Sequence, residues 1–192
     1  MALTYDIRLD AGADYAQNVE WRVSTTVLAA AYTAGDSTVT VVSTDGADSS
    51  GYIEIFPQAT NSAHKNPPSF FLSYSGKTPT TFTGCSAAGQ SSTTAINCAL
   101  YAPVEAVVPL TSFTARLSIR RSIEDAAAVL ALTSSSGLTI TAALGRVAIA
   151  ITAAQTAALS GSYVYDLEVE SSGGTITRLL QGRVHVSPQV TY

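Results

Sequence analysis

Three carboxylates near the C-terminal end of the chain have the spacing of a chemical site. Asp166, Glu168 and Glu170 stand at alternate positions of a run that predicts a β-strand, so all three project from one face. Paired carboxylates can serve as acid and nucleophile, or acid and base, in glycoside hydrolysis. The same spacing is typical of a solvated strand face whose acids pair with arginines across a hairpin, here Arg178 or Arg183. We favour this second interpretation.

The two histidines do not extend these carboxylates into a catalytic set. His64 lies in a stretch rich in proline and asparagine, and His185 lies on the last strand, facing outward if Val184 and Val186 face inward. A Ser-His-Asp triad needs a histidine beside a serine on a sharp turn, and neither histidine is accompanied by a Gly-x-Ser-x-Gly motif. No glycine-rich loop is followed by Lys-Ser or Lys-Thr to cradle a phosphate. We therefore expect no enzyme and no cofactor.

Metal ligands are sparse in the sequence. Asp10 and Asp14 flank a glycine turn, but calcium loops present more oxygen ligands at closer spacing, so turn capping is the favoured role. Cys85 and Cys98 are separated by twelve residues without nearby histidines, which is a poor zinc site. A disulfide between them stays open, although cytoplasmic synthesis favours free thiols.

Aromatic side chains offer a third kind of chemistry, stacking on sugars. Most of them sit at alternating positions, which predicts a role in the core. A glycan-binding role nevertheless remains open, with Tyr74 and Tyr101 as the residues to replace. The aromatic set is Trp21, Tyr32, Tyr52, Phe70, Phe71, Tyr74, Phe82 and Tyr101.

Composition narrows the class of protein. The 192 residues include only 12% charged side chains, about half the usual quarter, and the net charge is −4. A weakly charged surface suits a protein that packs against other proteins. We expect no nucleic-acid partner because there is no basic stripe. No apolar run is long enough for a membrane helix, and no secretory signal is visible.

Alternation of apolar and polar residues predicts an all-β chain, with one short helix over 152–159. Thr152 and Gln155 fit a capping box at the start of that helix. The run 127–132 is compatible with a strand or a short helix, and we prefer the strand. The outer strands are predicted over 3–9, 18–23, 113–120, 127–132, 138–140, 147–151, 163–170 and 175–186.

The middle of the chain has a different composition, richer in serine, threonine, proline, glycine and asparagine. It predicts a small β-rich module, residues 25–106, inserted between the second and third strands of an outer domain formed by residues 1–24 and 107–192. Residues 59–68 predict a polar loop. Short β runs are expected at 38–42, 52–56, 70–74, 80–85 and 99–104.

Several stretches resemble proteins of tailed phages. Residues 13–21, 109–120, 161–169 and 178–191 are similar, in that order, to an Ig-like β-sandwich akin to the N-terminal attachment domain of baseplate upper proteins. The middle segment resembles a small β module that recurs in phage virion proteins, from which it departs by an added stretch over 56–70. The similar runs of that module are 26–31, 38–41, 51–55, 72–85 and 99–101.

The resemblance implies an all-β fold: an Ig-like antiparallel β-sandwich with one short helix and an inserted β-rich domain. It further implies a bacteriophage virion structural protein without catalysis, made in the host cytoplasm and placed in the viral tail. There it would anchor fibres or spikes to the baseplate, packing against other virion proteins and copies of itself. A capsid decoration protein and a glycan-binding module of a host-recognition apparatus are the alternatives.

Partner contacts are expected in the polar loop and along the terminal strand. Shape-complementary packing and β-augmentation at exposed strand edges would provide the affinity. The residues predicted to make these contacts are Ala59, Asn61, His64, Lys65, Asn66, Pro67, Pro68, Val184, Val186, Val190 and Tyr192.

Overall fold

The computed structural model describes residues 3–58, 68–88 and 97–189. Within these ranges the chain is almost entirely β, as the alternation predicts. The strands are β1 (Leu3–Thr4), β2 (Ile7–Asp10), β3 (Tyr15–Glu20), β4 (Arg22–Val27), β5 (Thr38–Thr40), β6 (Gly51–Ile55), β7 (Phe70–Tyr74), β8 (Gly76–Thr78), β9 (Thr81–Thr83), β10 (Ser86–Ala87), β11 (Pro103–Val107), β12 (Thr114–Arg120), β13 (Leu130–Thr133), β14 (Leu138–Thr141), β15 (Arg146–Ile151), β16 (Gly161–Glu170) and β17 (Ile176–Ser187). A 3-10 turn covers Ala142–Leu144, and the helix α1 covers Ala153–Ala157.

The chain divides into two compact units. Unit 1 comprises Met1–Val19, Leu110–Ala142 and Arg146–Tyr192, and unit 2 comprises Glu20–Pro109 and Ala143–Gly145. Unit 2 thus includes residues 143–145, which lie in the outer domain expected from the sequence.

Unit 1 is a β-sandwich of two sheets. One sheet has the strand order β1-β17-β16-β12-β13, with β2 also paired to β17, and the other has the order β14-β15-β3. Along β16 the side chains of Tyr163, Tyr165, Leu167 and Val169 are buried, while the residues between them are only partly buried. The same alternation along β12 and β15 buries further core side chains. The expected all-β sandwich is therefore confirmed.

The expected first strand over 3–9 is divided into β1 and β2. Both pair in parallel with β17, but at the break the Asp6 carboxylate accepts a hydrogen bond from the Arg183 backbone N–H over 2.9 Å. A side chain thus takes the place of a backbone acceptor. Leu3 and Tyr5 are exposed, and only Ile7 and Leu9 are buried, so the N-terminal half of the predicted strand does not face the core.

The expected second strand over 18–23 is also two strands, β3 and β4, which belong to different sheets. The backbone leaves β3 at Trp21, whose N–H donates to the Gly145 carbonyl over 2.9 Å and whose carbonyl accepts from the Val108 N–H over 3.2 Å. The alternation of apolar and polar residues continues through this break, although β4 belongs to another sheet. The sequence pattern therefore does not reveal the break.

The short helix follows the sequence closely. Thr152 is the N-cap, and its hydroxyl accepts from the Gln155 backbone N–H while the Gln155 side chain accepts from the Thr152 backbone N–H. The predicted capping box is therefore confirmed. Leu159, just beyond the helix, is buried as expected.

Unit 2 contains a five-stranded antiparallel sheet, order β10-β7-β6-β11-β4, and a three-stranded sheet, order β5-β9-β8. The runs expected at 52–56 and 70–74 correspond to β6 and β7. The run expected at 99–104 instead begins as β11 at Pro103, because Tyr101 adopts a left-handed conformation with φ of 66°. The core residues are Leu28, Tyr32, Val39, Val41, Ala47, Ile53, Ile55, Phe70, Leu72, Tyr74, Phe82, Cys85, Cys98, Ala102, Val104 and Ala106.

Candidate functional site

The three carboxylates of β16 lie in an ion-pair ladder on the outer face of the six-stranded sheet. Arg116 Nη2 lies 2.8 Å from Glu168 Oε2, and Arg178 Nη2 lies 3.2 Å from Glu168 Oε1. Asp166 contacts Arg178 at 3.3 Å, and Glu170 contacts Arg116 at 3.5 Å. The expected pairing with Arg178 is confirmed, with Arg116 as a second cation that the sequence did not single out.

Electrostatics keep the central carboxylate of this ladder ionised. Burial alone would raise the pKa of Glu168, but hydrogen bonds from Arg116 and Arg178, together with their charges, lower it below its usual value. A glycosidase acid instead needs a raised pKa. The Arg116 pKa is raised in turn, chiefly by its hydrogen bond to Glu168.

A groove of about 720 Å³ lies on the same outer face and is lined in part by Asp166 and Arg178 of the ladder and by Asp6. Its floor contains a row of three cross-strand neighbours, Arg183 on β17, Val164 on β16 and Arg120 on β12. Arg120 Nη1 donates to the backbone carbonyl of Asp125 over 2.8 Å. In the part of the chain that the structure describes, no ion pair or hydrogen bond involves the Arg183 side chain. Ile123, also in the lining, is 84% exposed.

The His185 ring contacts the hydroxyl of its cross-strand partner Ser162. Ser162 Oγ lies 3.2 Å from His185 Nδ1 on the outer face of the sheet. A triad would place a carboxylate on the other ring nitrogen, but the neighbour of His185 on the β2 side is Arg8. The pair is therefore a surface polar contact between strands.

The turn that carries Asp10 and Asp14 docks against α1. The Asp14 carboxylate accepts from the Ala153 backbone N–H over 2.7 Å, and the Thr156 hydroxyl donates to the Ala13 carbonyl over 2.8 Å. Asp14 thus acts as a capping group, the role favoured from the sequence. Among residues 3–58, 68–88 and 97–189, no cluster of three or more His, Cys, Asp or Glu could hold a metal ion.

Unit 2 contains a charge cluster that the sequence analysis missed. Arg22 Nη2 lies 2.5 Å from carboxylate oxygens of both Glu20 and Glu54, and Nε lies 3.6 Å from Glu105. The guanidinium also stacks 5.6 Å from the centre of the Phe71 ring. The Glu54 side chain is only 9% exposed. One signal was present, because a charged residue between Ile53 and Ile55 in a buried run requires a partner.

The cysteines and most aromatics are core residues. Cys85 and Cys98 are buried thiols that are not joined in a disulfide, and burial raises the pKa of each to about 11. Tyr74 is also buried, so it cannot stack on a sugar. Tyr101 is different, since 63% of its surface is exposed beside the exposed Leu100.

The residues predicted to contact partners differ in their exposure to solvent. Pro68 is exposed, Val186 is partly buried and Val184 is completely buried. Since β17 is paired on both sides, by β16 and by β1 and β2, it is not an edge for β-augmentation. Ala59, Asn61, His64, Lys65, Asn66, Pro67, Val190 and Tyr192 lie outside the described residues.

Comparisons with known proteins give no relative. No family model, curated protein or solved structure matches the chain. Within the described ranges, no helix has the length and apolarity needed to cross a membrane.

Proposed function

We propose that the chain is a non-enzymatic structural protein of a tailed-phage virion, acting as a tail or baseplate adaptor that anchors fibres or spikes by protein–protein packing. The resemblance of residues 13–21, 109–120, 161–169 and 178–191 to a phage attachment domain supports this proposal. The low charged fraction of 12% supports it as well, because weakly charged surfaces lose little solvation when they are covered.

The observation that carries the proposal is the outer face of the six-stranded sheet. Its carboxylates are held in cross-strand ion pairs, and the groove beside them is lined by three arginines, two aspartates, and aliphatic, aromatic and small polar side chains from adjacent strands. A sheet face of this kind offers a broad surface for packing. It does not bring a titrating acid and a nucleophile together in an enclosed pocket.

The test is to locate the protein in particles. Phage particles from the strain that carries this coding sequence are purified, separated into heads and tails, and analysed by mass spectrometry and cryo-EM. Enrichment in tails, with density for both units at the fibre attachment point, supports the adaptor. Enrichment in heads favours the capsid decoration alternative, and absence from purified particles overturns both.

One observation favours a glycan-binding alternative in unit 2. Tyr101 combines high exposure with a φ of 66°, a conformation that costs a non-glycine residue about 1–3 kcal/mol. Its backbone is held there by the Tyr101 N–H bond to the Leu28 carbonyl over 2.9 Å. Strained backbone conformations cluster at active sites and ligand-binding sites, which supports a ligand-contact hypothesis for Tyr101.

A glycan array distinguishes this alternative from the adaptor. Wild-type protein, Tyr101→Ala and the neighbouring control Leu100→Ala are applied to the same array. Selective binding that is lost only in Tyr101→Ala supports glycan recognition. Absence of any selective binding by the wild type argues against it.

A further inference from the structure

The outer face of the six-stranded sheet is electrostatically uneven. In the ion-pair ladder, Arg116 and Arg178 contact carboxylates. The groove also contains Asp166, which pairs with Arg178, and Asp6, which accepts from the Arg183 backbone N–H. Among the described residues, the Arg120 side chain is bound to the Asp125 backbone carbonyl and forms no ion pair, and the Arg183 side chain has neither. Both guanidinium groups therefore retain donors for an external carboxylate.

The arginines are spaced to receive two negative charges. Arg183 and Arg120 flank Val164 on adjacent strands, so their backbones are two strand spacings apart, about 10 Å. Ile123 adds an exposed aliphatic side chain to the same groove. The complementary ligand carries two carboxylates and an apolar group on a short, fixed segment.

Unit 2 presents such a segment in the turn after β5. Asp45 and Asp48 are exposed, and neither forms an ion pair within the described ranges. Val42, three residues before Asp45, is an exposed aliphatic residue at 59%. The turn thus carries two carboxylates three residues apart and one apolar side chain.

Buried contacts hold this turn in one conformation. Thr44 and Ala47 are buried, and the Thr44 hydroxyl donates to the Thr78 carbonyl over 2.5 Å. The Tyr74 hydroxyl donates to the Asp48 carbonyl over 3.0 Å, and Lys77 Nζ donates to the Thr44 carbonyl over 3.0 Å. A pre-ordered turn loses little conformational entropy on binding.

We infer that the groove of one copy of the chain binds the Asp45–Asp48 turn of a second copy. Arg120 and Arg183 would receive the two carboxylates, and Ile123 would pack against Val42 of the second copy. The contact joins a patch of unit 1 in one copy to a different patch, in unit 2, of the second copy. This inference rests on the proposed function, an adaptor that works by protein–protein packing, and it names the surfaces that two copies of the chain would use.

Sedimentation velocity of the full chain tests the inference. The wild type is measured from micromolar to millimolar concentration at about 0.01 M and about 1 M salt, where the Debye length is about 30 Å and about 3 Å. We expect concentration-dependent self-association at low salt and weaker association, by about tenfold or more, at high salt. A wild type that stays monomeric under all these conditions overturns the inference.

Charge reversal identifies the surfaces. Arg120→Glu with Arg183→Glu, and separately Asp45→Arg with Asp48→Arg, should each abolish self-association. An equimolar mixture of the two variants should restore it, because each groove then meets a turn of opposite charge. Arg8→Glu, which reverses an exposed arginine of the neighbouring strand β2, is the matched control and should associate like the wild type.

The other outcomes are equally decisive. Association that survives in both reversed variants, or a mixture that stays monomeric while both variants are folded, overturns the assignment of these surfaces. If the Arg120 change unfolds the protein, Arg183→Glu alone and the Asp45, Asp48 variant carry the test. A monomeric chain that is nevertheless found in phage tails defeats this inference and leaves the adaptor function standing.

Discussion

The hydroxyl of Tyr165 donates a hydrogen bond to the carbonyl oxygen of Tyr5 over 2.7 Å, and so connects β16 to the N-terminal segment on the far side of β17. Gly182, the cross-strand partner of Tyr165, makes this possible because a Cβ there would overlap the Tyr5 carbonyl. Burial raises the Tyr165 pKa well above its usual range, so the hydroxyl remains a donor at all physiological pH values.

Substitutions at these two positions should differ in cost. Gly182→Ala forces the N-terminal segment away from β17 and should lower the free energy of unfolding by about 1–3 kcal/mol, as overpacking does. Tyr165→Phe loses one hydrogen bond and should cost about 0.5–1.5 kcal/mol. Urea unfolding measures both, and hydrogen exchange at Ile7 and Leu9 should accelerate most in Gly182→Ala.

Gly173→Ala is the control for the glycine substitution. Gly173 has ordinary backbone geometry, and a Cβ there would meet only Ser171 Oγ, at 3.8 Å. Its cost should stay within about 0.5 kcal/mol. Equal stability of the two glycine variants would contradict the role assigned to Gly182.

The ladder around Glu168 should give the protein an acid-sensitive increment of stability. The folded pKa of Glu168 is lowered, so its contribution is complete above the unfolded value of about 4.3 and is lost as pH falls through the folded pKa. Both arginines are about half exposed, which limits the contribution to about 0.5–1 kcal/mol. Glu168→Gln should show that loss at neutral pH and a flatter stability profile below pH 4.3.

Glu170→Gln is the matched comparison for that variant. Glu170 is 41% exposed and reaches Arg116 only at 3.5 Å, so its replacement should change stability by less than about 0.5 kcal/mol. Denaturant unfolding across a pH series reports both variants. If the loss of stability at acid pH were the same in Glu168→Gln as in the wild type, Glu168 would not be its source.

The charge cluster of unit 2 predicts a larger effect. Arg22→Met leaves the 9%-exposed Glu54 without its closest cation and should cost about 3–5 kcal/mol. Adding Glu54→Leu removes the stranded carboxylate, so the double variant should recover most of that loss. Thermal unfolding of Arg22→Met, of the double variant and of Glu54→Leu alone measures the interaction energy between Arg22 and Glu54.

Glu105→Gln is the control for the cluster. Glu105 is 30% exposed and lies 3.6 Å from Arg22, so we expect a cost below about 1 kcal/mol. If Arg22→Met lowered the free energy of unfolding no more than Glu105→Gln does, the cluster would not contribute to the stability of unit 2.

Local patterns in the sequence predict individual elements well and their junctions poorly. The capping box at Thr152 and Gln155 is a contact between near neighbours, so the sequence alone specifies it. The break at Trp21 depends on hydrogen bonds to Gly145 and Val108, which are distant in sequence. The alternation of apolar and polar residues therefore does not predict it.

The candidate surfaces likewise combine contacts that the sequence predicts with contacts that depend on distant parts of the chain. Pairing of Glu168 with Arg178 follows from a hairpin, whereas the additional contact with Arg116 requires the register between β12 and β16. The groove around Arg120 and Arg183 depends on two such registers at once. Long-range strand order, which single-sequence patterns do not encode, is therefore what the structure adds to the site.

The two cysteines should be unreactive thiols in the folded protein. Cys85 and Cys98 are buried in the core of unit 2, and burial raises both pKa values to about 11, so almost no reactive thiolate forms near neutral pH. Without reductant, a thiol reagent such as Ellman's reagent should modify neither cysteine in native protein and both in denaturant. A disulfide would leave no thiol in denaturant, and rapid modification of the native chain would show that this core opens readily.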